Sequence, residues 1–585
     1  MKLKTTSRLA GVLALPVLFL GCGLKDPAPF DPVAMQRMFR DRAAENVTPA
    51  FSPLALNLDK TYLVKKDGNA PTTRSANPLP TTAESVGPVV RMSLRDLVQL
   101  AAVNSLQVRV SNYQPAIDEA RVIEAEARFD PSFFTNVNFA TQTLLSPTPQ
   151  ATSISPTSRT DFQTTTVQTG FKQTLDNGAQ VQLQYQGTQT FRRIGGETQP
   201  WESGIYESGL SLQITQPLLQ NFGTEVNRAR VVVARNTQRV SLLDARLQLE
   251  KTLSEIEELY WQLVDAEREL AIQQDLYNET VKTADILQRR AGQDVTRVQL
   301  SQNNAALRQR EVLLVTAQNE IKRLSHEIKR RVNDPSMPVA SAVVILPDDH
   351  PVEAPIKFDL AEQIQAALSN RAELAQQQIR IDSATVVYKA AQNNVLPQLN
   401  LVGSVGIKGA AANSFGHAVG NELYDNEAQE YAIGLQLEVP LGNREARAIL
   451  QRTGLQRLQA IYQYKDLIEQ VTQETKEAFD QVYSSWERLG KARQSLYAAQ
   501  DALDALQQEQ DVGNVPLTPD FINRKLNAQE VLAQARRDDA RAASDYNIAI
   551  AALERAKGTL LKYDNVLMAQ EPLMAEGVRV SRKQD

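Results

Sequence analysis

The sequence lacks most of what closes a small globular fold. It has one cysteine in 585 residues, so no internal disulfide can form. Its three histidines, His326, His350 and His417, stand far apart and make no metal-ligand spacing. Aromatic residues are only 6% of the chain, while Gln, Ala and Leu are plentiful, a mix that suits long helices better than a compact aromatic core. A net charge of -5 with 22% charged residues implies no nucleic-acid or other polyanionic partner. No phosphate-binding glycine loop, no HExxH zinc motif and no nucleophile–histidine pair is present, so the sequence points to no enzyme and no cofactor. No apolar run reaches the length of a transmembrane helix.

The one cysteine is informative by its place. Lys2, Lys4 and Arg8 precede an apolar run from Leu9 to Leu20, and Gly21-Cys22 follows. A charged start and a short apolar stretch read as an export signal over residues 1–21. Cys22 behind a small residue is similar to a bacterial lipobox, where cleavage exposes a cysteine for lipidation; the plainer alternative is an ordinary signal with an incidental cysteine. A lipid chain alone holds a protein weakly, so a second membrane contact is expected downstream. Residues 22–90 are rich in proline and lack sustained periodicity, and read as a linker.

The rest of the chain is a duplication. LRDLVQLAAVNSLQV from Leu94 and LAEQIQAALSNRAEL from Leu360 align at a shift of 266, which also carries Pro131 onto Pro397. Further on, SLQITQPLLQNFG and GLQLEVPLGN align at a shift of 223, carrying Pro217 onto Pro440, and Gly292 corresponds to Gly513. Each copy therefore reads as helix, strands, proline corner, very long helix, glycine break and long helix. The fall in shift means that the first copy holds 43 extra residues between Pro131 and Pro217, the size of one more hairpin. Asp176-Asn177-Gly178 between two alternating runs is a candidate turn for it.

The strands alternate apolar residues with uncharged polar ones: Val181, Leu183 and Tyr185 with glutamines, Leu210, Leu212 and Ile214 with Ser, Gln and Thr. A membrane barrel does this, and so does a half-buried soluble sheet. From about Thr224 to Arg290 there is neither proline nor glycine, enough for a helix of roughly 100 Å at about 1.5 Å per residue. Leu249, Leu253, Ile256, Tyr260, Leu263 and Leu270 follow steps of three and four, the spacing of a coiled-coil seam.

In order and in double occurrence these pieces resemble the TolC family of outer-membrane efflux proteins. Asn104 and Asn370 near the openings, Pro131 and Pro397 at the corners, QPLLQNFG and VPLGN before the long helices, VGNVPLTPDF at 512–521 and DYNIAIAALERAKGTLL at 545–561 carry the resemblance. The implied fold is mixed membrane α+β: a duplicated helix–strand–strand–helix unit, a trimeric β-barrel of about twelve strands, and a long periplasmic coiled-coil barrel. The extra hairpin leaves six strands per chain as the alternative. The expected divisions are repeat 1 over 91–335 (strands about 132–219, helices about 224–331), a linker over 336–356, repeat 2 over 357–561 (strands about 398–440, helices about 444–560) and a tail over 562–585. One chain has too few strands to close a barrel, and open sheet edges are not tolerated in lipid, so a homotrimer follows once the strands lie in a membrane.

The resemblance implies a lipid-anchored exit duct in the bacterial outer membrane, with a large periplasmic portion. A periplasmic adaptor and an inner-membrane pump, for efflux or type I secretion, would be its partners. The helix tips near Gly292 and Gly513 would meet the adaptor. Asp294, Arg297 and Asp520 are candidate gate residues, with solvated turn or capping roles as the plain alternative. A structural coiled-coil lipoprotein and a periplasmic enzyme with a β domain are the rival readings.

Overall fold

The computed structural model describes residues 31, 88–147, 157–194, 199–202, 204–292, 295–412, 414, 416, 418–419, 428–511 and 518–566. The signal, Cys22, Asp294, Gly513 and most of the 22–90 linker and the tail lie outside these.

Each repeat opens with a capped helix. In α1 (Leu94–Asn104) the Ser93 side chain accepts from the Asp96 N–H; in α5 (Leu360–Asn370) the Asp359 side chain accepts from the Ala361 N–H. Both helices are 11 residues long. The chain leaves helical geometry at Ser105 (ψ 124°) and Arg371 (ψ 120°), then resumes as α2 (Leu106–Glu126) and α6 (Ala372–Asn394). The long helices are α3 (Ala229–Arg289, 61 residues) and α7 (Arg444–Asp511, 68 residues). Each is followed past the tip by a shorter partner, α4 (Arg297–Val332) and α8 (Pro519–Ala556).

These helices form a wall four helices wide. Helix α3 packs on α2 and α4 along one side and on α6 and α8 along the other; α7 packs on α6 and α8. The α2 contact lies at the start of α3, where Ser241 Oγ donates to Asp118, and the α4 contact nearer its end, where Arg310 Nη1 donates to the Leu276 carbonyl at 3.2 Å. Thus α2 and α4 stand end on end beside one rod. The seam read from the sequence is the core of that rod: Leu249, Leu253, Ile256, Tyr260, Leu263 and Leu270 are all buried. At about 1.5–3 kcal/mol per buried large apolar side chain, this stripe holds the hairpin together.

The largest apolar cluster sits midway along the wall. It joins Leu97 and Ala101 of α1, Tyr260 and Leu263 of α3, Ile321 and Leu324 of α4, and Leu560 of the short helix α9 (Leu560–Tyr563). A two-stranded parallel sheet closes it: β1 (Val89–Met92) beside β6 (Val344–Pro347), a strand buried at all four positions. Val89 and Val90, read as the end of a linker, belong to β1, and the stretch read as the inter-repeat linker contains β6. Four-residue strands bounded by prolines carry too little periodicity to be read from sequence. Lys329 is buried here, its Nζ donating to the carbonyls of Ser341 (3.1 Å) and Val343 and to Ser341 Oγ (3.0 Å).

All other strands form one antiparallel sheet in the order β2 (Ser132–Pro147), β3 (Thr157–Thr174), β4 (Gln180–Ile194), β5 (Ile205–Pro217), β7 (Gln398–Ala412), β8 (Ala428–Glu438). Among the described residues this sheet has six strands, where about four per chain were expected with six as the alternative. The extra hairpin is β3–β4, and it pairs along its whole length with the strands on both sides.

Candidate functional site

The register sorts the sheet into two faces. Phe133, Phe171, Leu183, Leu212 and Val405 lie in one row across five strands, and Val137, Val167, Leu210, Ile407, Leu435 and Leu437 share its face. The opposite face holds Asn136, Gln168, Gln186, Gln184, Ser211, Gln213, Ser404 and Gln436. Its amides bond to one another: Gln168 Nε2 donates to Gln186 Oε1 at 3.3 Å, and Gln182 Nε2 to Gln184 Oε1 at 2.7 Å. The polar face also carries Lys172, Glu207, Lys408 and Glu430. One mainly apolar and one polar face is what lipid on one side and water on the other require. The Phe133 and Phe171 rings pack in a tilted arrangement, centroids 5.3 Å apart, at the end near the helices. Towards the other end, Asp161 accepts from Arg193 (2.7 Å), Arg159 (3.0 Å) and Thr143 (2.7 Å), and Trp201 covers the Arg193 guanidinium at 4.7 Å.

Among the described residues the sheet is open at both edges. Strand β8 is exposed at every position, and Phe133, Val137 and Phe139 of β2 are exposed as well. No helix among the described residues is long and apolar enough to cross a membrane. No cluster among them would hold a metal ion.

The four corner prolines sit where strands meet helices. Pro131 and Pro397 stand directly before β2 and β7, Pro217 ends β5, and Pro440 follows β8. The sequence did not show how the corners are tied. The Leu218 N–H donates to the Leu399 carbonyl at 2.7 Å, and the Asn221 N–H to Asn393 Oδ1 at 2.6 Å. Asn393 Nδ2 returns a bond to the Leu219 carbonyl at 3.2 Å, and Asn443 Nδ2 donates to the Val395 carbonyl at 2.8 Å. Asn221 (φ 63°) and Asn443 (φ 41°) both take left-handed backbone, which asparagine tolerates best among residues with a side chain. Asn-Phe-Gly and Gly-Asn behind Pro-Leu were the available signal.

At the far end, Gly292 turns with φ 88°. Helix α4 then starts on a capping box: Thr296 Oγ1 accepts from the Gln299 N–H, and Gln299 Oε1 accepts from the Thr296 N–H at 2.6 Å. Arg297 is exposed at its first position. Thr518, rather than Asp520, caps α8; Asp520 lies exposed in the first turn and pairs with Arg524 at 3.2 Å. Buried Leu287, Val295 and Ile522 pack together, so the tips of the two repeats meet within one chain.

Among the described residues, a six-stranded sheet with one mainly apolar and one polar face runs straight into a four-helix wall. The chain matches the outer membrane efflux protein family over residues 363–559, the body of the second repeat. Its fold is that of TolC-like channels. The outer membrane protein VceC from Vibrio cholerae is 18% identical, with 80% of this chain and 96% of that one covered at a TM-score of 0.55. The Campylobacter jejuni CmeC outer membrane channel is 14% identical, with 81% and 90% covered at 0.56. The Neisseria gonorrhoeae MtrE outer membrane channel, in its open state, is 14% identical, with 80% and 89% covered at 0.54. No curated protein sequence matches the chain.

Proposed function

We propose that three copies of this chain assemble into an outer-membrane exit duct that passes solutes delivered by an inner-membrane pump through a periplasmic adaptor. One observation carries this reading: a two-faced sheet with both edges unpaired continues directly into a helical wall. Lipid does not tolerate free strand edges, and three copies joined β2 to β8 leave none. The same step places α2 and α4 of one copy against α7 of the next. Val110, Tyr113 and Ile117 on α2, and Leu455 and Tyr462 on α7, are exposed in the single chain and suit that seam. A coiled-coil lipoprotein without a channel has no use for a sheet of this kind.

Cys22 is the lipid attachment point in this reading, and Gly292, Asp294, Arg297, Gly513 and Asp520 are the gate and adaptor contacts. The decisive measurement is conductance of the purified protein in planar bilayers, alongside its migration on gels. Heat-sensitive trimers with discrete conductance steps are expected; a monomer without conductance sinks the proposal. Asp520→Ala and Asp294→Ala should change conductance and cation blockade, and no change in either rules out the gate roles.

A further inference from the structure

We infer that the β3–β4 hairpin crosses the outer membrane as part of the pore wall, so that the trimer closes eighteen strands rather than twelve and the barrel is as wide as the helical tunnel below it. This rests on the trimeric channel reading above.

Both ends of the hairpin are fixed on opposite sides of the sheet. Its turn is docked on the helix side: the Gly223 N–H donates to the Asn177 carbonyl at 3.2 Å, Asn177 Nδ2 donates to Gln216 Oε1 at 3.1 Å, and Arg228 pairs with Asp176 at 3.3 Å. Gly178 takes φ +91°, and a Cβ there would fall 2.3 Å from the Asn221 carbonyl oxygen, so the turn is fitted against the first corner. At the other end β3 and β4 connect in sequence to β2 and β5. The pairing is continuous from Ser132↔Lys172 to Pro147↔Thr157 and from Thr160↔Ile194 to Thr174↔Gln180. Withdrawing the hairpin would break the ladders on both its sides, β2–β3 and β4–β5.

The hairpin also has the same two faces as its neighbours. Val167, Phe171, Leu183 and Tyr185 continue the apolar rows, and Gln168, Gln182, Gln184 and Gln186 continue the polar ones. Its strands of 18 and 15 residues exceed the 9–11 or so that a tilted membrane strand needs.

Width supports the same count. Strands about 4.8 Å apart and tilted by about 40° each occupy about 6.3 Å of circumference, so eighteen give about 110 Å and twelve about 75 Å. Three four-helix walls at about 9 Å per helix give about 110 Å. At this tilt eighteen strands meet the tunnel edge to edge, and twelve would form a neck. The membrane section then imposes no sieve of its own, and selection falls to the far tip.

The test is a strand count in the native trimer in lipid nanodiscs by electron cryo-microscopy, with cysteine labelling as a second readout. Eighteen strands are expected. Val167→Cys, Leu183→Cys and Tyr185→Cys should react with a lipid-phase reagent at least tenfold faster than Gln168→Cys, Gln184→Cys and Gln186→Cys, with the order reversed for a water-soluble reagent; wild type, with Cys22 alone, is the blank. A trimer with twelve membrane strands, or six hairpin positions labelled alike from water, overturns the inference and leaves the channel standing. A chain that does not trimerise overturns both.

Discussion

Glu257 lies buried on α3 against Asp564, in the central cluster. Burial, then the neighbouring Asp564 and Glu554 carboxylates, pushes its carboxyl up to about 9. The native state therefore holds a proton that the unfolded chain, near its ordinary 4.5, has released. Between those two values the folded form binds more protons, so this group lowers stability progressively as pH rises through the window. Glu257→Gln should leave the melting temperature nearly unchanged near pH 4.5 and raise it increasingly towards pH 9; an equal shift at both ends counts against the proton assignment. Lys329 behaves in the opposite way to a surface lysine. Lys329→Ala leaves buried acceptors at Ser341 and Val343 unpaired and should cost about 3 kcal/mol, read as faster amide exchange over residues 341–346. Neither residue stood out in the sequence. Glu257 is one of several acids on a charged helix, and Lys329 stands in a basic last turn with Arg330 and Arg331. The seam from Leu249 to Leu270 was legible, because spacing alone fixes which side chains share a helix face.

At the scale of elements, helices were easier to read than pairings. The openings at Leu94 and Leu360 and the long rods carry their own period, and the tight turn at Asn177-Gly178 has its own residue chemistry. The β3–β4 hairpin pairs with its sequence neighbours β2 and β5, so its place was open to a local reading of the alternating runs and the Asn177-Gly178 turn, but the family resemblance pointed to the smaller count. The corner ties are nonlocal, since Asn221 and Asn393 meet only after both repeats fold. Asn221→Ala removes the residue type that best tolerates φ 63° and should cost about 1–2 kcal/mol. Gly178→Ala should do more, because it strains the turn and collides with the Asn221 carbonyl and the Asn227 side chain. Protease cutting between residues 175 and 179 is the measurement, and a Gly178→Ala variant whose turn resists cutting as well as wild type would show that the docking is dispensable.

For the whole molecule, the proposed trimer would make one duplicated chain a third of a closed tube, and the unequal copies explain why its sheet is wider than a strict repeat would make it. Val110→Asp and Tyr462→Asp place charge on opposite edges of the wall, where exposed apolar side chains await a neighbouring copy. Each should lower the temperature at which trimers fall apart while leaving helical content by circular dichroism unchanged; equal loss of both would mean that the sites belong to the chain's own core. The tip holds a mechanical consequence. Ile522, at the start of α8, is wedged with Leu287 and Val295 from the other repeat, so the two hairpin ends of a chain are glued into one body. In the proposed trimer, an aperture ringed by three such bodies would have three seams that slide easily and three that do not. Dilation would proceed as the parting of three jaws, and a puller engaging any one tip would drag its bonded twin along.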